Sequence, residues 1–332
     1  MDKITVVGGG SWGTALARVL AVNGHDTTLY IRNEKQYSDL INYRINKRYL
    51  PDVELPENLK YSNDLVKSIE NSNVILVAVP TNSVRETLMT LKPYLNEEDI
   101  IINVAKGIEE GTLMRISEIV EEIIPGIKYV ALSGPTHAEE VILDYPSTIV
   151  AASESNYAAE LVQHLFMNKY FRVYTNEDVV GVELGGALKN IIALAAGILE
   201  GYGYGDNTKA ALMTRGIYEM SRLGTKLGAK MDTFFGLTGM GDLIVTCTSN
   251  HSRNKQCGVL IGKGVPIEQA IEQIGMVVEG IRTTRSASEL AKKLDVEMPI
   301  TEVLFSVLYE DKDLTKSIEE LMLRERKAEH YS

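Results

Sequence analysis

Residues Ile4 to Val7 form a β-branched run that ends in Gly8-Gly9-Gly10-Ser11-Trp12-Gly13-Thr14, and the helix-forming Ala15-Leu16-Ala17 follows at once. No other segment restricts the fold so tightly. Gly8, Gly10 and Gly13 have the spacing G-x-G-x-x-G between an expected strand and an expected helix. The first glycine permits a tight turn, the second lets backbone approach a pyrophosphate, and the third lets the helix pack closely on the strand. The helix N-terminus then offers unpaired N–H groups and a partial positive charge to phosphate oxygens. The segment predicts a dinucleotide-binding βα unit.

The pattern that follows supports a sheet built on that unit. Further strands are expected at 27–31, 74–79, 100–104, 129–132, 147–151 and 171–174, with helical patterns at 14–23, 63–68, 84–91 and 112–124. Strands alternating with helices predict a parallel sheet covered on both faces. Unbroken apolar runs such as Val74-Ile75-Leu76-Val77-Ala78-Val79 suit strands buried on both sides. From about residue 178 the strand signal vanishes. Helices are expected at 180–199, 208–227, 252–261, 267–273, 280–294, 301–308 and 314–324. At 332 residues the chain exceeds what one core usually supports. The expectation is therefore α/β, with an N-terminal Rossmann-type doubly wound sheet over 1–178 and an all-helical domain over 179–332.

A net charge of -11 argues against nucleic acid or an acidic membrane surface as partner. An acidic chain that binds anions must also concentrate its cations inside the site. Cys247 and Cys257 give neither a disulfide framework nor a C-x-x-C metal spacing, so no metal is expected. The glycine loop begins by residue 8, which leaves no room for a signal peptide. The most apolar segment, 187–199, is too short to span a bilayer and carries Lys189 and Asn190. A cytoplasmic protein without stable membrane insertion is expected. The charged run 319–330 reads as a solvated last helix and tail.

An acidic residue usually ends the second strand of such a unit and holds the adenosine ribose. Here Tyr30-Ile31-Arg32-Asn33 ends it, and a guanidinium suits a ribose phosphate where Asp would repel one. NADP(H) is favoured over NAD(H), with Arg32 and Asn33 at the coenzyme. The competing reading leaves Arg32 on the surface and gives the ribose to Glu34.

Four further segments carry chemistry. Asn103-Val104-Ala105-Lys106-Gly107 follows a strand, where ligands of open α/β sheets bind. Ser133-Gly134-Pro135-Thr136-His137-Ala138-Glu139 follows another, and its Gly-Pro turn brings N–H groups and Thr136 to the same crevice. His137, in a helix-entry segment, reads as an ordinary loop histidine. In Gly185-Gly186-Ala187-Leu188-Lys189-Asn190-Ile191, a lysine sits within an almost wholly apolar helix. It is costly there unless compensated, and a lowered pKa would suit it to proton exchange at a carbonyl oxygen. Snorkelling to water is the plainer alternative. Finally, a Gly-rich loop over 236–241 ends in Asp242, a natural charge partner for Lys189. Ser252-Arg253-Asn254 then opens a helix equipped for phosphate.

In this order, GGGSWGT, NVAKG, SGPTHAEE, ELGGALKNIIALAAGI, GLTGMGDLIVTC and SRN, the chain resembles the bacterial NAD(P)-dependent glycerol-3-phosphate dehydrogenases over essentially its whole length. The resemblance implies that Ser11, Trp12, Arg32, Lys106, Ala138, Arg253, Val277 and Glu279 contact the dinucleotide. It implies that Lys106, Gly134, Thr136, Lys189, Asp242, Ser252, Arg253 and Asn254 contact substrate, with Lys189 exchanging the proton. Thr136 stands where the family also uses Ser, and the hydroxyl is kept. The implied reaction is reversible reduction of dihydroxyacetone phosphate to sn-glycerol 3-phosphate by NADPH or NADH, supplying glycerophospholipid synthesis. The sequence leaves oligomeric state open, a homodimer included. Two alternatives stand beside this reading. One is a related two-domain ketoacid or sugar-acid reductase, and the other is a non-catalytic NADPH sensor.

Overall fold

The computed structural model describes residues 2–326 and 328–329. Strand β1 (Lys3–Val7) runs into helix α1 (Ser11–Val22), and β2 (Asp26–Tyr30), α2 (Glu34–Tyr43), β3 (Ile45–Asn46), β4 (Leu50–Glu54), β5 (Lys60–Ser62) and α3 (Leu65–Ile69) follow on one side of it. The chain then returns to the other side of β1. There it forms β6 (Val74–Val77), α4 (Thr81–Leu91), β7 (Ile100–Asn103), α5 (Ile116–Ile123) and β8 (Lys128–Ser133). After α6 (Ala138–Val141) come β9 (Ser147–Ala152), α7 (Asn156–Phe166) and β10 (Phe171–Asn176). The sheet order is β10-β9-β8-β7-β6-β1-β2-β5. The chain reverses direction between β2 and β6 on either side of β1, and open α/β sheets bind ligands at such a switch point, beyond the strand carboxyl ends.

The expected all-parallel sheet holds from β5 to β8 and fails at one edge. Strand β9 pairs antiparallel with β8, and β10 then runs parallel to β9. A one-turn helix such as α6, about 6 Å long, cannot carry the chain back to the opposite end of the sheet, so it turns in place. Helices cover both faces as expected: α1, α6 and α7 bury one apolar layer, α4 and α5 the other. The helices α2 and α7 and the short strands β3, β4 and β5 add to the elements expected from sequence. Asn33 caps α2 by accepting from Gln36 N at 2.9 Å, and Ser155 caps α7 by accepting from Ala158 N at 3.3 Å.

Beyond Asn176 the described chain is helical. It forms α8 (Val179–Tyr202), α9 (Asp206–Lys226), α10 (Met231–Phe234), α11 (Asp242–Thr248), α12 (Arg253–Gly262), α13 (Ile267–Ile274), α14 (Glu279–Leu294), α15 (Pro299–Tyr309) and α16 (Leu314–Met322). Of the charged run 319–330, Lys327 and His330 lie outside the described residues. Helix α8 is longer than its apolar centre suggested. By length and composition the whole helix could cross a membrane, although its most apolar segment, 187–199, is too short to do so. Its residues are instead buried as the axis of the helical half. A tie near its start sets its direction against the sheet. Glu183 accepts from Ser117 N (2.8 Å), Arg115 Nη1 (2.9 Å) and the Tyr129 hydroxyl (2.7 Å). Less than two helical turns later stands Lys189.

Candidate active site

The glycine loop has the geometry a pyrophosphate needs. Gly8 has φ +126°, and a Cβ on Gly13 would lie 2.0 Å from the Gly8 carbonyl oxygen, so neither position admits a side chain without moving backbone. A Cβ on Gly10 would meet no protein atom within 4 Å. The protein itself therefore leaves that side of Gly10 open to a ligand. Gly10 is also the N-cap of α1 and supplies no side-chain cap, which leaves the N–H groups of the first turn, Ser11, Trp12 and Gly13, facing the crevice without one. These residues fit a dinucleotide. Arg32 lies exposed past the end of β2, at the same sheet edge, with Glu34 exposed beside it. Asn33 spends its side-chain oxygen on the cap of α2.

The second half of the site is assembled around one carboxylate. Asp242 Oδ1 lies 2.7 Å from Lys189 Nζ, and Asp242 Oδ2 lies 2.6 Å from Lys106 Nζ. Asp242 and Lys189 are buried, with side chains only 2% and 7% exposed. Lys189 comes from the middle of α8, whereas Lys106 follows β7, where Asn103 folds the strand end back by accepting from Ala105 N at 3.1 Å. Lys106 also donates to Gly134 O at 3.0 Å, which joins the β7 and β8 ends. Gly186 makes the crossing possible, since a Cβ there would stand 2.8 Å from Ser133 Oγ and 3.4 Å from Lys106 Cγ.

Two ammonium groups against one carboxylate leave the cluster with net positive charge. Burial lowers the Lys189 pKa to about 8, an effect that Lys106 reinforces and the attraction of Asp242 only partly offsets. For Asp242 burial works upward, but the two lysines outweigh it and hold the carboxyl below its ordinary range. The Lys189 ammonium has three N–H donors. One meets Asp242 and another donates to Thr246 Oγ1 at 2.6 Å.

Thr246 was missed in sequence because 236–241 read as a Gly-rich loop and no helix was expected directly after it. In the structure 237–241 is a π-helical turn and α11 begins at Asp242, so Asp242 and Thr246 stand one turn apart on one face. Asn190 was also unassigned. It donates to Lys106 O at 3.2 Å and its own side-chain oxygen accepts from Asn254 Nδ2 at 2.9 Å. Asn254 Oδ1 in turn accepts from Gly280 N at 2.8 Å, so its side chain ties α8, α12 and α14 together. For a ligand Asn254 retains the second N–H of its side-chain amide as well as its backbone N–H in the first turn of α12. Ser252 caps that helix, accepting from Lys255 N at 3.2 Å, and Arg253 is exposed at its first position.

The remaining expected residues have these surroundings. Thr136 N donates to Gly134 O at 2.9 Å, and Ala138 is buried at the start of α6. Val277 is half-buried just before α14. Glu279 crosses between the halves, its Oε1 accepting from Thr81 N at 3.2 Å, and burial raises its pKa. Cys247 and Cys257 are free and buried, and burial raises their thiols to about 12 and about 11. Among the described residues no cluster of His, Cys, Asp or Glu has the makings of a metal site.

Known proteins are similar to this chain over nearly its whole length. The family model described as NAD-dependent glycerol-3-phosphate dehydrogenase N-terminus matches residues 3–159, and that described as its C-terminus matches residues 178–319. The chain belongs to this family. It is 54% identical over 329 residues to a Clostridium botulinum protein named glycerol-3-phosphate dehydrogenase [NAD(P)+], covering 99% of both chains. It is 56% identical over 333 residues to a protein of the same name from Bacillus cereus, covering 99% of this chain and 98% of the relative. The crystal structure of glycerol-3-phosphate dehydrogenase from Coxiella burnetii superposes with a TM-score of 0.94 at 37% identity, covering 97% of this chain and 99% of that one. Full-length membership of the glycerol-3-phosphate dehydrogenase family disfavours both the ketoacid-reductase and the sensor alternatives.

Proposed function

We propose that the protein catalyses the reversible reduction of dihydroxyacetone phosphate to sn-glycerol 3-phosphate with NADPH or NADH, NADPH being preferred. The observation that carries this reading is the Asp242 carboxylate held between Lys189 of the helical half and Lys106 of the sheet half. A carbonyl carbon placed there lies at the mouth of the dinucleotide crevice. A nicotinamide coenzyme, when bound, would supply the hydride for C2. Lys189, as ammonium, donates its remaining N–H proton to the carbonyl oxygen; in the reverse direction its free amine takes the proton from the hydroxyl. Asp242 and Thr246 hold two of its three donors and so fix where the third points. Lys106 adds positive charge beside the developing alkoxide.

In the same reading residues 1–178 bind the coenzyme, through Gly8, Gly10, Ser11, Trp12, Gly13, Arg32, Asn33, Lys106 and Ala138. Arg253, Val277 and Glu279 approach it from residues 179–332. Gly134, Thr136, Ser252, Arg253 and the Asn254 N–H take the substrate and its phosphate. The reaction is cytoplasmic and feeds glycerophospholipid synthesis. A homodimer would sediment at twice the 36.7 kDa of the chain. The deciding experiment mixes purified protein with dihydroxyacetone phosphate and each reduced nicotinamide in turn. Loss of nicotinamide absorbance, with sn-glycerol 3-phosphate formed, is the expected result. No loss with either coenzyme overturns the reading.

A further inference from the structure

His137, taken from its sequence as an ordinary loop residue, is placed by the fold beside the reacting cluster. It is the N-cap of α6, yet its side chain makes no capping hydrogen bond. Its Nε2 is enclosed and has no hydrogen-bond partner in the protein. Leaving a buried ring nitrogen unpaired costs stability unless a ligand uses it. The loop that carries it packs on the turn that presents Asp242, for a Cβ on Gly241 would lie 3.6 Å from Pro135 Cγ. On the other side, its ring centroid is 5.9 Å from that of His251, the residue before the α12 cap Ser252. The imidazole therefore lies close both to the turn that presents Asp242 and to His251, two residues before Arg253 opens α12.

We propose that His137 is a substrate-binding residue whose enclosed Nε2 hydrogen-bonds the phosphate of the substrate. This rests on the reading above, in which a three-carbon phosphate ester spans from Lys189 to Arg253. Such a molecule has to pass the imidazole, and the net positive charge around it favours an anionic oxygen over a neutral one. Burial, reinforced by Lys189 and Lys106 and opposed by Glu139 and Asp242, lowers the His137 pKa. That shift favours the neutral ring, which has one N–H donor.

The test compares His137→Gln, His137→Asn and His137→Phe. Glutamine carries an amide to about the Nε2 position, asparagine stops short of it, and phenylalanine keeps the ring without a donor. In NADPH-loaded protein, calorimetry with inorganic phosphate reads the contact without turnover. Phosphate affinity should fall about tenfold in the Phe and Asn variants and be largely kept in Gln. KM for dihydroxyacetone phosphate should rise in parallel, while kcat changes little. Unchanged phosphate affinity in Asn and Phe overturns the proposal. So does a fall in kcat at constant phosphate affinity, which would move the ring to the reacting carbon. If Phe fails to fold, the Gln–Asn pair still decides. Wild-type protein that binds phosphate but never reduces dihydroxyacetone phosphate counts against the reaction, not against this contact.

Discussion

In the proposed reaction the two halves hold their ligands in different materials. The sheet half offers mostly backbone: Gly8 and Gly13 where no Cβ fits, and the first-turn N–H groups of α1. The helical half offers buried side chains in a charged cluster, Lys189, Asp242 and Thr246, set in an apolar axis. Backbone N–H groups suit a phosphate that must be held unchanged. A side chain with a displaced pKa suits an oxygen whose proton must be exchanged. Lys106 belongs to the first half and pairs with Asp242 of the second, which is why the proposed chemistry falls at the seam.

Lys189→Ala should divide the halves most sharply. Reduction should slow by about 10²–10⁴ while NADPH affinity, measured by fluorescence titration, stays as it was; more than a tenth of wild-type activity remaining would remove Lys189 from the proton transfer. The pH profile of the wild type sharpens the same point. Reduction needs the ammonium and should decline as pH rises through about 8, whereas oxidation needs the free amine and should climb over that range. A flat profile in both directions would detach the chemistry from this group.

Arg253→Ala tests whether the helical half holds the phosphate. KM for dihydroxyacetone phosphate should rise about 10–100-fold, the worth of a charge-assisted contact, with kcat less affected. An unchanged KM would put the phosphate elsewhere. Gly258→Ala probes the frame rather than the chemistry, since its Cβ would meet Leu194 O of α8 at 2.2 Å. Urea unfolding should show a loss of about 1–3 kcal/mol; stability equal to wild type would mean that α8 and α12 can part without cost. Arg32→Asp acts in the sheet half alone and should lower the NADPH/NADH preference about tenfold. If the ratio holds, the ribose phosphate is bound by another group.

The same contrast explains what could be read in advance. The coenzyme loop was legible because its requirement is local: three glycines at fixed spacing between a strand and a helix. The buried Lys189 was legible as an anomaly, a charge in an apolar helix. Thr246 was not, because the glycines before it disguised a π-turn and helix as a loop. The reversed edge of β9 and β10 depends on how far a one-turn helix can reach, which a strand pattern does not record. His137 looked ordinary because its sequence neighbours say nothing of the lysines and the second histidine around it.

The sequence by itself determined the βα coenzyme unit, the change from sheet to helices near residue 178, and the presence of a lysine that had to be compensated. Those are properties of short windows, set by backbone freedom, hydrophobic period and the cost of burying charge. Only the tertiary structure decided that one carboxylate answers two lysines more than eighty residues apart in the chain. Such a meeting depends on α8 being anchored through Glu183 and on Gly186 leaving room for Lys106, and distance in space is not written in any single window of residues.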